Sequence, residues 1–196
     1  MDFIGEYGVS EKVCDGLINF FNTSDYAAKN KYRGFVGEDT NNVQPLLRSS
    51  TDVNLTPDLY QEYPEIKNYM KQLGDCIDQY KLDYPACNDH LDPWNILEGP
   101  KIQYYKPGEA YFAAHSERDS ADYPYVYRHL VYMTYLNTVT DKGGTEFIHQ
   151  KKITNAVKGK TIIWPADWTY QHRGVMSPTQ EKYIITGWLS FIPKHE

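Results

Sequence analysis

The sequence predicts one α+β domain, helix-rich over residues 1–98 and mainly β over residues 99–192. Three observations carry this. Two early segments repeat apolar side chains at helical spacing. From residue 99 onward, short apolar and aromatic runs alternate with Gly, Pro, Asp and Asn, the texture of many short antiparallel strands in a sandwich or barrel. A length of 196 residues suits a single core.

The first helix is expected over 11–22, N-capped by Ser10, with Val13, Leu17, Phe20 and Phe21 on one face. Residues 34–57 are rich in Gly, Asn, Asp, Ser and Thr and read as loop with short strands. A second helix should start near Pro64, a good first-turn residue, and run to about Leu82. Its stripe is Ile66, Met70, Leu73, Ile77 and Tyr80, and Gly74 weakens it slightly. Strands are expected at 101–106, 111–117, 126–137, 144–148, 152–154, 160–164, 168–173 and 181–192.

Composition removes several function classes. No apolar run reaches membrane-span length, and the start, MDFIGEYGVSEK, lacks the basic and apolar blocks of a signal peptide. The expectation is a soluble cytoplasmic protein with no membrane partner. The net charge of -6 argues against nucleic acid as a partner. Cys14, Cys76 and Cys87 are odd in number and lack CxxC spacing, so reduced thiols are expected. The basic run HQKKITNAVKGK reads as an edge strand whose lysines discourage pairing.

The segment FAAHSERDS carries His115 and Glu117. On a strand, side chains two apart share a face, so the pair could grip one ion. His172, in DWTYQHRGVMSP between two apolar strands, is the histidine that hairpin strands could bring back to them. His90 lies in a polar loop, His129 could face either side of its strand, and His195 is at the C-terminal end. Two His and one carboxylate on one side of a metal form the facial triad of non-haem Fe(II) oxygenases. Lys182 follows His172 by ten residues and shares a strand face with Ile184, Thr186 and Trp188. A Lys buried there is costly unless it meets an anion.

These residues resemble the Fe(II)- and 2-oxoglutarate-dependent oxygenases, in particular the prolyl 4-hydroxylase-like branch. The matching pieces are YYKPGEAYFAAHSE, RHLVYMTYLN, GGTEF, VKGKTIIWP and HRGVMSPTQEKYIITGW. The resemblance implies a double-stranded β-helix, or jelly roll, flanked by N-terminal helices. It implies Fe(II) on His115, Glu117 and His172, and 2-oxoglutarate chelating that iron. Lys182 would pair with the distal carboxylate, supported by Tyr135, with Tyr105 and Thr186 as further contacts. Arg128 matches a position near the substrate mouth and Trp188 one beside the iron. The implied reaction consumes O2, hydroxylates a C–H bond and releases succinate and CO2, with ascorbate as a further cofactor. The implied partner is a peptide or protein substrate, with a peptidyl proline first. A free amino acid, an alkylated nucleobase, or a non-catalytic cupin-like metal module are the alternatives.

Two departures stand out. The usual carboxylate ligand is Asp, and here it is Glu117, longer by one methylene; Asp119 is off the HxD spacing. The family often places a Tyr three residues before the first His. That place is Phe112, and strand parity turns Tyr111 to the opposite face. YPYVY, residues 123–127, could line a peptide groove or be a strand with a proline at its edge.

Overall fold

Ser10 ends an extended stretch and starts helix α1 (Glu11–Thr23). It occupies the N-cap, but its side chain makes no cap; its own N–H donates to Gln72 Oε1 at 2.7 Å instead. Val13, Leu17, Phe20 and Phe21 are buried, as their spacing predicts. A short helix, α2 (Asp25–Asn30), follows, truly capped by Ser24 accepting from the Ala27 N–H. The third, α3, spans Leu59–Glu62, and α4 (Pro64–Asp83) has Pro64 in its first turn. The structure, a computed structural model, describes residues 2–34 and 46–194. Most of the predicted 34–57 loop up to residue 45, and His195, lie outside the described residues.

The strands are β1 (Gly5–Gly8), β2 (Tyr32–Arg33), β3 (Thr51–Asn54), β4 (Trp94–Asn95) and β5 (Lys101–Tyr105). They continue with β6 (Arg128–Tyr135), β7 (Thr145–Phe147), β8 (Lys152–Thr154), β9 (Lys160–Pro165), β10 (His172–Gly174) and β11 (Lys182–Phe191). The larger sheet runs β1-β9-β6-β11-β5-β3-β2, with β4 pairing the end of β11. The smaller runs β10-β7-β8. Every pairing within them is antiparallel.

The central strands are apolar almost throughout because both faces of the larger sheet are covered. Alternation divides their side chains. Leu130, Tyr132, Ile163, Ile185 and Leu189 pack with Leu17, Phe20 and Leu73 of the helices. Val131, Met133, Tyr135, Ile162, Trp164, Ile184 and Trp188 form a second buried cluster on the opposite face. The helices therefore back the sheet, and the other face is left to build a cavity. Thr134, on the helix side, bonds the Tyr69 hydroxyl at 3.1 Å and Thr161 at 2.7 Å, pinning α4 to the sheet. Among the described residues, no helix is long and apolar enough to cross a membrane.

Three expectations need correction. Residues 111–117 are not a strand; only Tyr111 and His115 make isolated bridges, to Arg48 and His172. The expected strand at 126 starts at Arg128, because Tyr125–Tyr127 is a 3-10 turn. The expected strand at 168–173 is a 3-10 turn over Trp168–Tyr170 followed by β10. The strands β1 and β4 escape sequence reading because GEYG and WN carry no alternation. Of the three thiols, all free, Cys14 and Cys76 are buried and Cys87 is half-buried.

Three of the four lysines of the basic run are held in ion pairs. Lys152 pairs with Asp2 and Glu6, Lys160 with Glu6, and Lys158 with Asp15. The pair Gly143-Gly144 is required by the fold. Gly143 has φ +78°, and a Cβ on Gly144 would lie 1.9 Å from the Thr154 carbonyl oxygen.

Candidate active site

The first site element is a reciprocal bridge. The His115 N–H donates to the His172 carbonyl at 3.0 Å, and the His172 N–H returns the bond at 2.9 Å. A pair that exchanges both bonds sets its two side chains on one side. The imidazole centroids are 4.4 Å apart. Glu117 arrives by a different route than strand parity, since its N–H donates to the Ala166 carbonyl at 3.2 Å.

Each histidine is oriented by its own backbone. His115 Nδ1 lies 3.0 Å from the Ala113 carbonyl oxygen, and His172 Nδ1 lies 3.0 Å from that of Tyr170. A carbonyl only accepts, so the proton is assigned to Nδ1 and the Nε2 lone pair is left for a ligand role. The two Nε2 atoms stand 3.4 and 3.5 Å from Glu117 Oε1. The donor atoms of all three residues lie within 4.8 Å of one another, so one ion can touch them all. Asp119 lines the same cavity but is not part of this donor cluster.

Electrostatics suit a cation here. Burial pushes the Glu117 carboxyl up, but bonds and charge attraction from His115 and His172 outweigh it and hold it well below the usual range. Burial and the neighbouring His115 pull the His172 imidazole down, against Glu117. An ionised Glu117 and a His172 ring pulled toward its neutral form are what metal ligation needs of these two residues.

The Glu117 side chain is gripped from behind. The Trp188 indole N–H donates to Oε2 at 2.9 Å. Arg128 donates to the Glu117 backbone carbonyl at 3.1 Å, and its Nη1 approaches Oε2 at 3.6 Å. The same guanidinium is held by Glu98 through bonds of 2.9 and 2.6 Å, and it stacks 3.6 Å from the Trp188 ring centroid.

Lys182 faces the cavity from β11 and is only 5% exposed. It donates to the Gly143 carbonyl at 3.0 Å and lies 4.9 Å from the Tyr105 ring centroid. Among the described residues it has no acidic partner, and burial pulls its pKa down to about 8. The Tyr135 hydroxyl bonds the Thr145 and Thr154 hydroxyls, each at 2.8 Å. Tyr105 donates to Gln103 Oε1 at 2.8 Å, and Thr186 to the Tyr132 carbonyl at 3.0 Å.

All nine residues singled out from the sequence line one cavity of about 920 Å³, between the two sheets. That volume admits a small co-substrate together with part of a larger substrate. His129 is not among its lining; its Nε2 bonds the Cys87 carbonyl at 2.8 Å, away from the site. Pro124 and Tyr125 of YPYVY line the cavity, while Tyr123 is exposed.

Tyr111 is the main correction. It faces into the cavity rather than away, stacked on His115 at 3.8 Å and 13°. Sequence reading also missed Glu98, Lys101 and the buried Arg48–Asp52 pair behind Tyr111. The one signal for Tyr111 was its spacing. It stands four rather than three residues before His115, and the segment between them is not a strand, so parity does not decide its side.

Residues 100–190 match the family described as the 2OG-Fe(II) oxygenase superfamily. Over those residues the chain is similar to that superfamily. No curated protein matches it in sequence. Among solved structures it is similar to the viral collagen prolyl hydroxylase of Paramecium bursaria Chlorella virus-1, in its 2-oxoglutarate complex. That match has a TM-score of 0.70 at 21% identity and covers 97% of each chain. A Pseudomonas putida prolyl-4-hydroxylase matches with TM-score 0.70 at 12% identity, over 98% of this chain and 95% of that one. A Trichoplax adhaerens prolyl hydroxylase, in complex with a hypoxia inducible factor peptide fragment, matches with TM-score 0.69 at 18% identity. It is covered over 84% of its length, and this chain over 97%. These likenesses describe a shared fold.

Proposed function

We propose that this chain is an Fe(II)- and 2-oxoglutarate-dependent hydroxylase acting on a peptidyl proline, built on a double-stranded β-helix. The observation that carries the chemistry is the pairing of two features in one cavity. One is the donor set of His115, Glu117 and His172. The other is Lys182, a buried amine with no acidic partner among the described residues. A metal-only module has no use for the second feature; a dicarboxylate co-substrate does.

In this reading His115, Glu117 and His172 hold Fe(II), which with 2-oxoglutarate and O2 supplies the oxidising chemistry and yields succinate and CO2. Lys182 takes the distal carboxylate of 2-oxoglutarate. The hydroxyls of Tyr135 and Tyr105 lie at that end of the cavity, while Thr186 stands four positions along β11, opposite Lys101, and contributes at the other end. Trp188 and Arg128 fix the orientation of Glu117 and close the substrate side.

Proline as target is supported by the fold shared with three prolyl hydroxylases and by Pro124 and Tyr125 at the cavity wall. The test starts without a substrate. Fe(II) and then 2-oxoglutarate are added anaerobically, and the visible charge-transfer band is sought, with His115→Ala as control. The band is expected in the wild type alone. Its absence from metal-loaded wild type would overturn the co-substrate assignment. Proline-containing peptides then follow, read by succinate release and a mass gain of one oxygen.

A further inference from the structure

The cavity holds a second amine that this reading leaves unused. Lys101, on β5, faces it. Alternation puts Lys101, Gln103 and Tyr105 on one side of the strand, and the register sets Lys101 opposite Thr186 and Tyr105 opposite Lys182. The two lysines are therefore four positions apart along the sheet, about 13 Å. Among the described residues the Lys101 side chain has neither a hydrogen bond nor an ion pair; its Nζ lies 5.0 Å from the Trp188 ring centroid.

The carboxylates within its field are already engaged. Asp52 is bound by Arg48 and by Gln103, and Glu117 by two imidazoles and Trp188. Arg48 and Arg128 repel Lys101. One Asp52 oxygen, Oδ1, is unpartnered, so a closed internal pair between Asp52 and Lys101 is the competing account. A buried ammonium whose neighbouring carboxylates are engaged elsewhere is costly, and an incoming anion reduces that cost. The 2-oxoglutarate carboxylate is assigned to Lys182 at the other end, so the anion for Lys101 must come from elsewhere.

We propose that Lys101 binds a carboxylate of the substrate, so that the site selects acidic targets over their neutral counterparts. This rests on the oxygenase reading and names its substrate class. Trp188 gives the location its meaning. The ring that Lys101 faces also holds the Glu117 ligand, so a carboxylate on Lys101 is anchored beside the donor set. The carboxylate is an acidic side chain of a peptide, or the α-carboxylate of a chain end or free amino acid.

The test uses full-length protein loaded with Mn(II) and 2-oxoglutarate. The probes are matched peptide libraries, each member containing one proline, with Asp or Glu in one library and Asn or Gln in the other. Each is made with free and with amidated C-termini, and a mixture of free amino acids is added. Retained probes are read by mass spectrometry. The wild type should retain acids over amides by about tenfold, the scale of one charge-assisted pair. Lys101→Met and Lys101→Gln should bring that ratio near one, and Lys101→Arg should keep it. Whether side-chain acids, free termini or free amino acids are retained identifies the source.

Equal retention of acids and amides by the wild type, including none of either, overturns the proposal. So does an acid preference that survives in both neutral variants, the result expected if Asp52 keeps Lys101 for itself. Calorimetry with 2-oxoglutarate on the same protein addresses the underlying reading separately. A wild type that fails to bind 2-oxoglutarate sinks the oxygenase reading, whatever the libraries show. A large loss of 2-oxoglutarate affinity in Lys101→Met would make Lys101 a co-substrate contact and overturn the proposal.

Discussion

The indole N–H of Trp188 donates to Glu117 Oε2 at 2.9 Å, while Oε1 of the same carboxylate faces both imidazoles. One oxygen is thus committed to the protein and the other to the ligand cluster. The long Glu side chain has more rotamers than Asp, and this bond selects one of them. Trp188→Phe keeps the ring and loses the bond. Metal affinity should fall about tenfold, the scale for losing a ligand's supporting partner. Calorimetry with Mn(II) checks this, and an unchanged affinity would reduce Trp188 to packing.

Glu117→Asp tests the same clamp from the other end. Removing one methylene withdraws the carboxylate by about 1.5 Å, which takes Oε2 out of hydrogen-bond range of the indole. The family's usual ligand should therefore be worse here, with metal affinity lower by about tenfold. The double variant with Trp188→Phe should be little worse than either single change, because both break one contact. Additive losses would show that the Trp188 bond and the Glu length are independent.

Lys182 should weaken the free protein and strengthen the co-substrate complex. Its folded pKa is lowered by burial from 10.5 to about 8. The destabilisation is complete below about pH 8, fades between that and 10.5 as the unfolded chain binds the extra proton, and is absent above. Lys182→Met should therefore stabilise the ligand-free protein at neutral pH by about 3 kcal/mol, with the gain shrinking as pH rises. The same variant should bind 2-oxoglutarate about a hundredfold more weakly. Denaturant melts at several pH values read the first effect and calorimetry the second. A destabilised variant would show that Lys182 has a structural partner in place of an absent anion.

What the sequence made legible were features that repeat or stand out chemically. The stripes of α1 and α4 are set by helical spacing, and β6 and β11 by dense apolar runs. His115, Glu117, His172 and Lys182 stood out only in combination, and the structure brings all four to one cavity. Tyr111 was placed on the wrong side because parity holds only along a continuous strand. Between Tyr111 and His115 the chain makes two isolated bridges, and no alternation connects them. Glu98 and Lys101 were opaque for another reason. Each looks like an ordinary surface charge until the register of β5 against β11 and the reach of Arg128 are known.

The donor set also predicts a thermal response. An ion that binds the folded chain and not the unfolded one stabilises by mass action, about 2.7 kcal/mol at a hundred times its dissociation constant. For a chain of this size that is a rise in Tm of about 5–10 °C. Mn(II) should produce it in the wild type, and 2-oxoglutarate should add to it if, as proposed, Lys182 takes its anion from the co-substrate. His172→Ala should abolish the metal response and most of the 2-oxoglutarate response. Lys182→Met should keep the first and lose the second. This crossed pattern separates the two halves of the site. If His172→Ala still responded fully to Mn(II), the ion would be bound somewhere other than the His115, Glu117 and His172 cluster.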